Sequence, residues 1–128
     1  MLLSIKPTMK EKILYIDDEI INLELFEINF KKEFEIFVTE SPSEGLLIVQ
    51  NNAISVVITD YKMPEINGYE LIKKIKEYNP NIVCIMLSGF LESAITKDSE
   101  LVFDYIMKPY KKEELRLAIM NAFKQVNS

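Results

Sequence analysis

Carboxylate, hydroxyl and ammonium side chains come directly after the short apolar segments of this sequence, at the point where each segment stops. These residues are Asp17, Asp18, Asp60, Ser88 and Lys108. Three carboxylates that lie close together repel one another unless one is protonated or a cation joins them. A hard cation such as Mg²⁺ prefers oxygen ligands and would keep coordination positions open for a phosphate. Lysine and serine could then contact phosphoryl oxygens, so the set suits phosphoryl transfer to a carboxylate.

The amino-acid composition excludes several other kinds of site. The 128 residues include no histidine and a single cysteine, Cys84. Ser-His-Asp and Cys-His systems, imidazole-ligated metals and internal disulfides are therefore excluded, and a reducing compartment is expected. Three scattered glycines, Gly45, Gly68 and Gly89, cannot form a glycine-rich phosphate loop. A net charge of −5 argues against non-specific nucleic-acid binding.

Apolar runs that alternate with amphipathic ones predict five strands, each followed by a helix. The strands are predicted at residues 12–16, 35–39, 54–59, 82–87 and 105–107. In the first helix, Ile21, Leu25 and Ile28 recur at helical spacing, with Phe26 and Phe30 beside them.

The later helices are predicted from caps and apolar faces. Ser41 can cap the second helix, Pro42 fits its first turn, and Glu44 can complete a capping box. The third helix presents Gly68, Leu71, Ile72, Ile75 and Tyr78 on one face, and the last presents Leu115, Ala118, Ile119, Ala122 and Val126. A further helix is predicted in the polar, weakly patterned stretch between residues 90 and 100.

Five strand–helix repeats imply a parallel sheet with helices on both faces, and right-handed crossovers favour a doubly wound α/β fold. The functional crevice of such a sheet lies beyond the carboxyl ends of its strands. We therefore expect the three carboxylates, the serine and the lysine to converge at one edge.

The chain is predicted to be a single domain. Residues 1–10, which include Pro7, are expected to form a loose arm before a domain at residues 11–126, and Met9 could be the natural start. No apolar run reaches the roughly 18 residues that a membrane span needs, and the first residues do not form a secretory signal. A cytoplasmic location is expected.

Each candidate residue also has a purely structural interpretation. Asp17 and Asp18 could simply cap the first helix, and Asp60 could form a turn. Tyr105 could be ordinary strand packing, and Cys84 a small core residue. The predicted placement of several polar groups at one sheet edge favours the phosphoryl site over these separate explanations.

These motifs together resemble the receiver domains of response regulators in two-component signalling, of the single-domain chemotaxis-regulator type. The residues that carry the resemblance are Asp17-Asp18, Asp60, Met63-Pro64, Gly68, Ser88-Gly89, Tyr105 and Lys108-Pro109. It covers residues 11 to 126 and implies a flavodoxin-like sheet with strand order 2-1-3-4-5.

The resemblance also implies a role for each matching residue. Asp60 would accept a phosphoryl group from a phosphohistidine. Asp18 and Asp60 would ligate Mg²⁺ directly with the backbone carbonyl of Lys62, and Asp17 partly through water; Mn²⁺ could substitute. Lys108 would pair with the phosphoryl group.

The remaining family positions concern switching and backbone shape. Ser88 would move to hydrogen-bond the phosphoryl group, and Tyr105 would turn inward into the space it leaves. The Lys108–Pro109 peptide is expected to be cis. Two features depart from the family: the stretch from Ser88 to Lys108 is short, and residues 102–104 replace a small-residue turn.

The predicted function is a phosphorylation switch. A sensor histidine kinase or phosphotransfer protein would be the donor, and the fourth helix, fifth strand and fifth helix would form the partner surface. The domain would catalyse its own phosphorylation and dephosphorylation. No direct nucleic-acid or membrane contact is expected, and a homodimer is conceivable. The alternatives are a small Mg²⁺-dependent phosphohydrolase, an interaction module that is not phosphorylated, and the receiver part of a longer regulator.

Overall fold

A computed structural model describes residues 10–89 and 100–128 of the chain. Within these ranges the strands are β1 (Lys12–Ile16), β2 (Glu35–Thr39), β3 (Val56–Asp60), β4 (Val83–Ser88) and β5 (Asp104–Met107). They form one sheet in the order β2-β1-β3-β4-β5, and each neighbouring pair is parallel. The predicted doubly wound topology and strand order are confirmed.

Four helices surround the sheet in the described part of the chain. They are α1 (Ile20–Phe30), α2 (Pro42–Asn51), α3 (Gly68–Tyr78) and α4 (Lys112–Val126). The last corresponds to the fifth helix of the sequence prediction, because the helix predicted between residues 90 and 100 falls almost entirely outside the described residues. Among the residues described, no helix is long and apolar enough to cross a bilayer.

The sheet separates two apolar clusters. Successive side chains of a strand point to opposite faces. Tyr15 therefore packs with the apolar residues of α1 and α4, whereas Leu14 and Ile16 pack with those of α2 and α3. Both faces of the central strands β3 and β4 are fully buried, as expected for a parallel sheet covered by helices. Cys84 lies in the second cluster as a core residue.

The structure decides which of the apolar residues of α1 face the core. Phe26 and Phe30 are fully buried and their ring centroids lie 5.0 Å apart. By contrast, Ile21, Leu25 and Ile28 are 64%, 51% and 67% exposed. Two interleaved sets of apolar residues both have helical spacing, and the set that contains the aromatic rings is the one that is buried. Aromatic side chains bury more surface than aliphatic ones, which explains the choice.

The helix α2 begins with only part of the predicted capping box. Ser41 Oγ accepts a hydrogen bond from the backbone N–H of Glu44 at 3.2 Å, as predicted. The Glu44 carboxylate, however, accepts from the hydroxyl of Thr39 instead of from the Ser41 backbone. The Ser41 N–H donates to Thr39 Oγ1 at 3.1 Å. The hydroxyl of Thr39, at the end of β2, thus bonds to both the Glu44 carboxylate and the Ser41 N–H, which would have bonded to each other in a complete capping box.

The predicted inner faces of the other two helices are largely confirmed. In α3 the first four residues of the predicted face are buried, whereas Tyr78 is 51% exposed. In α4 the buried residues are Leu115, Ala118, Ile119, Ala122 and Phe123. Val126 is partly buried against the same cluster.

Candidate functional site

Backbone hydrogen bonds fix the site residues at the carboxyl edge of the sheet. Asp60 and Ser88 are the last residues of β3 and β4, so each lies one residue further inside its strand than predicted. The N–H of Tyr61 donates to the carbonyl of Leu87 at 2.9 Å, and the N–H of Lys108 donates to the carbonyl of Ser88 at 2.9 Å. Side chains from three strand ends are therefore held next to one another by the sheet itself.

Three carboxylates meet at this edge, as the sequence predicts. Asp17, Asp18 and Asp60 each contribute one oxygen atom to a group whose atoms all lie within 4.8 Å of one another. Asp17 and Asp60 are buried, whereas Asp18 is exposed. The group therefore has a buried side and a side that is open to solvent.

Asp60 is paired with the predicted lysine. Lys108 Nζ lies 2.9 Å from Asp60 Oδ1, and the backbone N–H of Tyr61 donates to the same oxygen at 3.0 Å. Burial nevertheless raises the pKa of Asp60 to about 6, because the effect of burial is larger than the opposing effect of Lys108. The negative charges of Asp17 and Asp18 raise this pKa further. Burial lowers the pKa of Lys108, but the hydrogen bond to Asp60 and the negative charges of Asp60, Asp17 and Glu19 together raise it above its usual value.

Asp17 is held by three hydrogen bonds. Its Oδ2 accepts from the Tyr15 hydroxyl at 2.8 Å and from Asn22 Nδ2 at 3.0 Å. Its Oδ1 accepts from the backbone N–H of Glu19 at 3.0 Å. Helix capping does not account for these bonds, because the N-cap residue of α1 is Glu19 and no side chain caps this helix. Burial, together with the nearby Asp17 charge, holds the pKa of Tyr15 far above its usual value, so its hydroxyl remains a donor.

The hydroxyl of Ser88 is a buried polar group that nothing in the described ranges satisfies. Ser88 is 1% exposed, and its Oγ atom has no hydrogen-bond partner among the residues described. Buried polar atoms are nearly always paired, and leaving one unpaired costs free energy. An unpaired hydroxyl beside a cluster of carboxylates is consistent with a group that pairs only when a ligand is present.

The other predicted site residues lie around this cluster. Lys62 is exposed and lines an open cleft together with Asp18 and Asp60. Tyr105 is half-buried on β5 and packs against the cluster on the α2 and α3 side of the sheet. The Lys108–Pro109 peptide bond is cis, as predicted.

The loop after Asp60 returns to the strand end through Gly68. The Gly68 N–H donates to the carbonyl of Tyr61 at 2.7 Å. A Cβ atom at this position would lie 2.4 Å from the Asp60 carbonyl oxygen and 3.0 Å from Tyr61 Cα. Both obstacles are backbone atoms that cannot rotate away. Only glycine therefore allows α3 to begin directly against the acceptor strand.

The family is decided by a match that spans most of the chain. A family model described as the response regulator receiver domain matches residues 13–120. The chain belongs to the response regulator receiver domain family. Proteins of this family are receiver domains of two-component response regulators, and phosphorylation on aspartate is the general property of the family.

Individual receiver proteins show the same relationship. A solved structure of a response regulator receiver domain protein from Clostridium thermocellum is 37% identical, with a TM-score of 0.83, and the match covers 90% of this chain and 95% of that one. Transcriptional regulatory protein NatR of Bacillus subtilis is 34% identical over 107 residues, which are 81% of this chain and 46% of NatR. Transcriptional regulatory protein GlrR of Escherichia coli is 29% identical over 116 residues, 88% of this chain and 26% of GlrR. The receiver chain therefore spans about a quarter to a half of these curated relatives.

Sequence reasoning missed the residues that orient Asp17. Tyr15 precedes Asp17 by two positions, and residues two apart on a strand share a face. A tyrosine among the aliphatic residues of a buried strand was the available signal, because a buried phenol usually finds a partner. Asn22 gave no comparable signal, since a single polar residue on an exposed helix turn is common.

Proposed function

We propose that this receiver domain accepts a phosphoryl group on Asp60 from a phosphohistidine. An Asp60 oxygen would form a bond to phosphorus while the P–N bond of the donor breaks, and the released imidazole nitrogen would take a proton. The 128 residues contain no histidine, so the donor imidazole comes from outside this sequence, from a sensor histidine kinase or a phosphotransfer protein. The observation that carries the proposal is the group of three carboxylates with Lys108 bonded to Asp60.

Receiver domains generally bind Mg²⁺ at an acidic pocket, and the residues of this chain fit that ion. The three side chains that converge offer carboxylate oxygens, the type of ligand that Mg²⁺ prefers. We propose that Asp18 and Asp60 bind the ion with the Lys62 carbonyl, that Asp17 contributes partly through water, and that Mn²⁺ can substitute. When bound, the cation neutralises charge on the phosphoryl oxygens.

The protein's own side chains would complete the site. Lys108 already donates to Asp60 Oδ1, which leaves Oδ2 as the oxygen with free acceptor capacity and the better nucleophile. In the phosphorylated state Lys108 would shift its hydrogen bonds to a phosphoryl oxygen, and the unpaired Ser88 hydroxyl would donate to another. Movement of Ser88 would vacate space for Tyr105, which links the site to the outer face of β5. That face would select the downstream partner.

The decisive experiment is intact-mass analysis after incubation with acetyl phosphate and Mg²⁺. The wild type should gain the mass of one phosphoryl group, and chelation of Mg²⁺ should prevent the gain. Asp60→Asn should gain nothing. Asp104→Asn, a half-buried aspartate on β5, is the matched control and should behave as the wild type.

The outcomes also separate the alternative functions. An unmodified wild type, or equal modification of Asp60→Asn, would overturn the proposal. Steady turnover of several phosphate esters would instead indicate a phosphohydrolase. Absence of Mg²⁺ binding at millimolar concentrations would indicate an interaction module that is not phosphorylated.

A further inference from the structure

We infer that the buried hydroxyl of Tyr15 is a positioning group that sets the cation affinity of the acidic site by fixing the Asp17 carboxylate. This inference rests on the proposed function, since it concerns how that site binds its divalent cation. Its basis is the hydrogen-bond geometry of Asp17, which is fully buried and joined to Tyr15 at 2.8 Å.

The acceptor capacity of Asp17 is nearly used up within the protein. An ionised carboxylate offers about four lone-pair sites, two on each oxygen. Tyr15 and Asn22 occupy both sites on Oδ2, and the N–H of Glu19 occupies one on Oδ1. A single site on Oδ1 remains. Asp17 can therefore offer the cation, or a water bound to it, one oxygen in one direction.

Tyr15 is rigid enough to impose that direction. It is 1% exposed in the middle of the core, and its ring centroid lies 4.6 Å from that of Phe26. Phenylalanine would fill the same volume and keep the same ring contact. The hydroxyl is therefore not needed for packing. It donates to the Asp17 carboxylate at 2.8 Å, and it also interacts with the hydroxyl of Tyr110.

Loss of the hydroxyl would free a lone pair on Oδ2. The carboxylate could then turn and present either oxygen to the cation, so part of its orientation would have to be fixed again on binding. Outer partners of metal-binding side chains typically contribute about 10–100-fold to metal affinity. We expect Tyr15→Phe to weaken Mg²⁺ binding by about 10-fold.

The test is calorimetric titration of the whole chain with Mg²⁺, repeated by electron paramagnetic resonance with Mn²⁺. Tyr15→Phe is compared with Tyr78→Phe, which makes the same chemical change at a half-exposed tyrosine, the last residue of α3. Tyr78→Phe should bind as the wild type. Phosphorylation by acetyl phosphate should be slower in Tyr15→Phe at low Mg²⁺ and recover when Mg²⁺ is saturating, which a general loss of structure would not do.

A second variant keeps the test valid if Tyr15→Phe does not fold. Asn22→Ala removes the other donor to Oδ2 from a half-buried helix position, and it should weaken Mg²⁺ binding in the same direction. Wild-type Mg²⁺ affinity in the folded variants would overturn this inference and leave the phosphoryl-acceptor proposal intact. A wild type that binds no Mg²⁺ would overturn that proposal, and this inference with it.

Discussion

The ammonium of Lys108 lies 2.9 Å from Asp60 Oδ1, on the oxygen that also accepts the N–H of Tyr61. Both donors therefore occupy one side of the acceptor carboxylate. Asp60 itself lines the open cleft that Asp18 and Lys62 also line. A carboxylate held in this way has a fixed orientation before any donor arrives, so part of the entropic cost of phosphoryl transfer is met by the fold.

The elevated pKa of Asp60 predicts how stability depends on pH in metal-free protein. This carboxyl has a pKa of about 6 in the folded state, well above its usual value of about 3.9 in an unfolded chain. Between these values the folded state holds a proton that the unfolded state has lost, so this group's contribution to stability increases as the pH falls from about 6 to about 4. Asp60→Asn is uncharged throughout and should be more stable than the wild type above about pH 6.

Urea denaturation in a chelating buffer between about pH 7 and pH 4.5 measures this difference. The advantage of Asp60→Asn should shrink as the pH falls, and Mg²⁺ should reduce it at neutral pH because the cation stabilises only the carboxylate. A difference that stays constant across this range would show that Asp60 does not titrate as described.

Removal of the Ser88 hydroxyl should not harm the resting protein. Its Oγ atom has no partner among the described residues, so Ser88→Ala deletes a buried hydroxyl that gains no hydrogen bond from that part of the chain. We expect the free energy of unfolding to stay equal or to rise by up to about 1 kcal/mol. Thr59→Val is the control, because the Thr59 hydroxyl does donate, to the Asp60 carbonyl at 2.9 Å, and its loss should cost about 1 kcal/mol.

The same Ser88→Ala variant should respond less to a phosphoryl mimic. Beryllofluoride with Mg²⁺ should stabilise the wild type more than the variant, by about the 1.5–3 kcal/mol of a hydrogen bond to a charged group. Thermal denaturation with and without the mimic provides the measurement. Equal stabilisation of both proteins would remove Ser88 from the proposed site.

A methyl group at Gly68 should disturb both stability and the site. The added Cβ would meet the Asp60 carbonyl oxygen at 2.4 Å, and the strand end or α3 would have to shift. We expect Gly68→Ala to cost about 1–3 kcal/mol and to slow phosphorylation. Gly45→Ala is a matched comparison, because its Cβ would meet the end of the flexible Ile16 side chain at 2.9 Å.

The better helix propensity of alanine offsets that contact in α2, so Gly45→Ala should change stability by less than about 1 kcal/mol. Chemical denaturation compares the two variants directly. Equal effects would mean that the close approach at Gly68 is relieved without cost.

The start of α3 should depend on its cap. Asn67 Oδ1 accepts from the N–H of Glu70 at 2.8 Å, and the Glu70 carboxylate accepts from the Asn67 N–H at 3.3 Å. Asn67→Ala should lower the free energy of unfolding by about 1 kcal/mol, which thermal denaturation would detect. Asn81 is an exposed asparagine outside the helices, so Asn81→Ala should leave the free energy of unfolding nearly unchanged.

The strand order and the meeting of the acidic residues could be predicted because they follow from strong signals. Each buried strand is a nearly continuous apolar run that stops at a polar residue, and parallel strands bring such ends to one edge. The position of Asp60 therefore required only the end of an apolar run. The capping box of α3 could also have been found, since Asn67 and Glu70 have the required spacing.

Other features could not be predicted, because the sequence is compatible with more than one buried face or more than one hydrogen-bond partner. Helix α1 is apolar on both sides, and only packing in three dimensions decided that Phe26 is buried while Ile28 is exposed. The partner of Glu44 depended on where β2 ends, which placed Thr39 within reach of the helix start. The tyrosine two positions before Asp17 signals a buried hydroxyl that needs a partner, but only the folded structure identifies Asp17 as that partner.

The burial of Cys84 has a practical consequence for spectroscopy. This thiol is the only one in the sequence, it is fully enclosed in β4, and burial raises its pKa to about 12. Reagents that react with thiolates should therefore leave the folded protein unlabelled at neutral pH. A cysteine introduced at the exposed Leu117 would carry a fluorophore or spin label in an otherwise unaltered chain. Motions of the α4 surface could then be followed without replacing a single core residue.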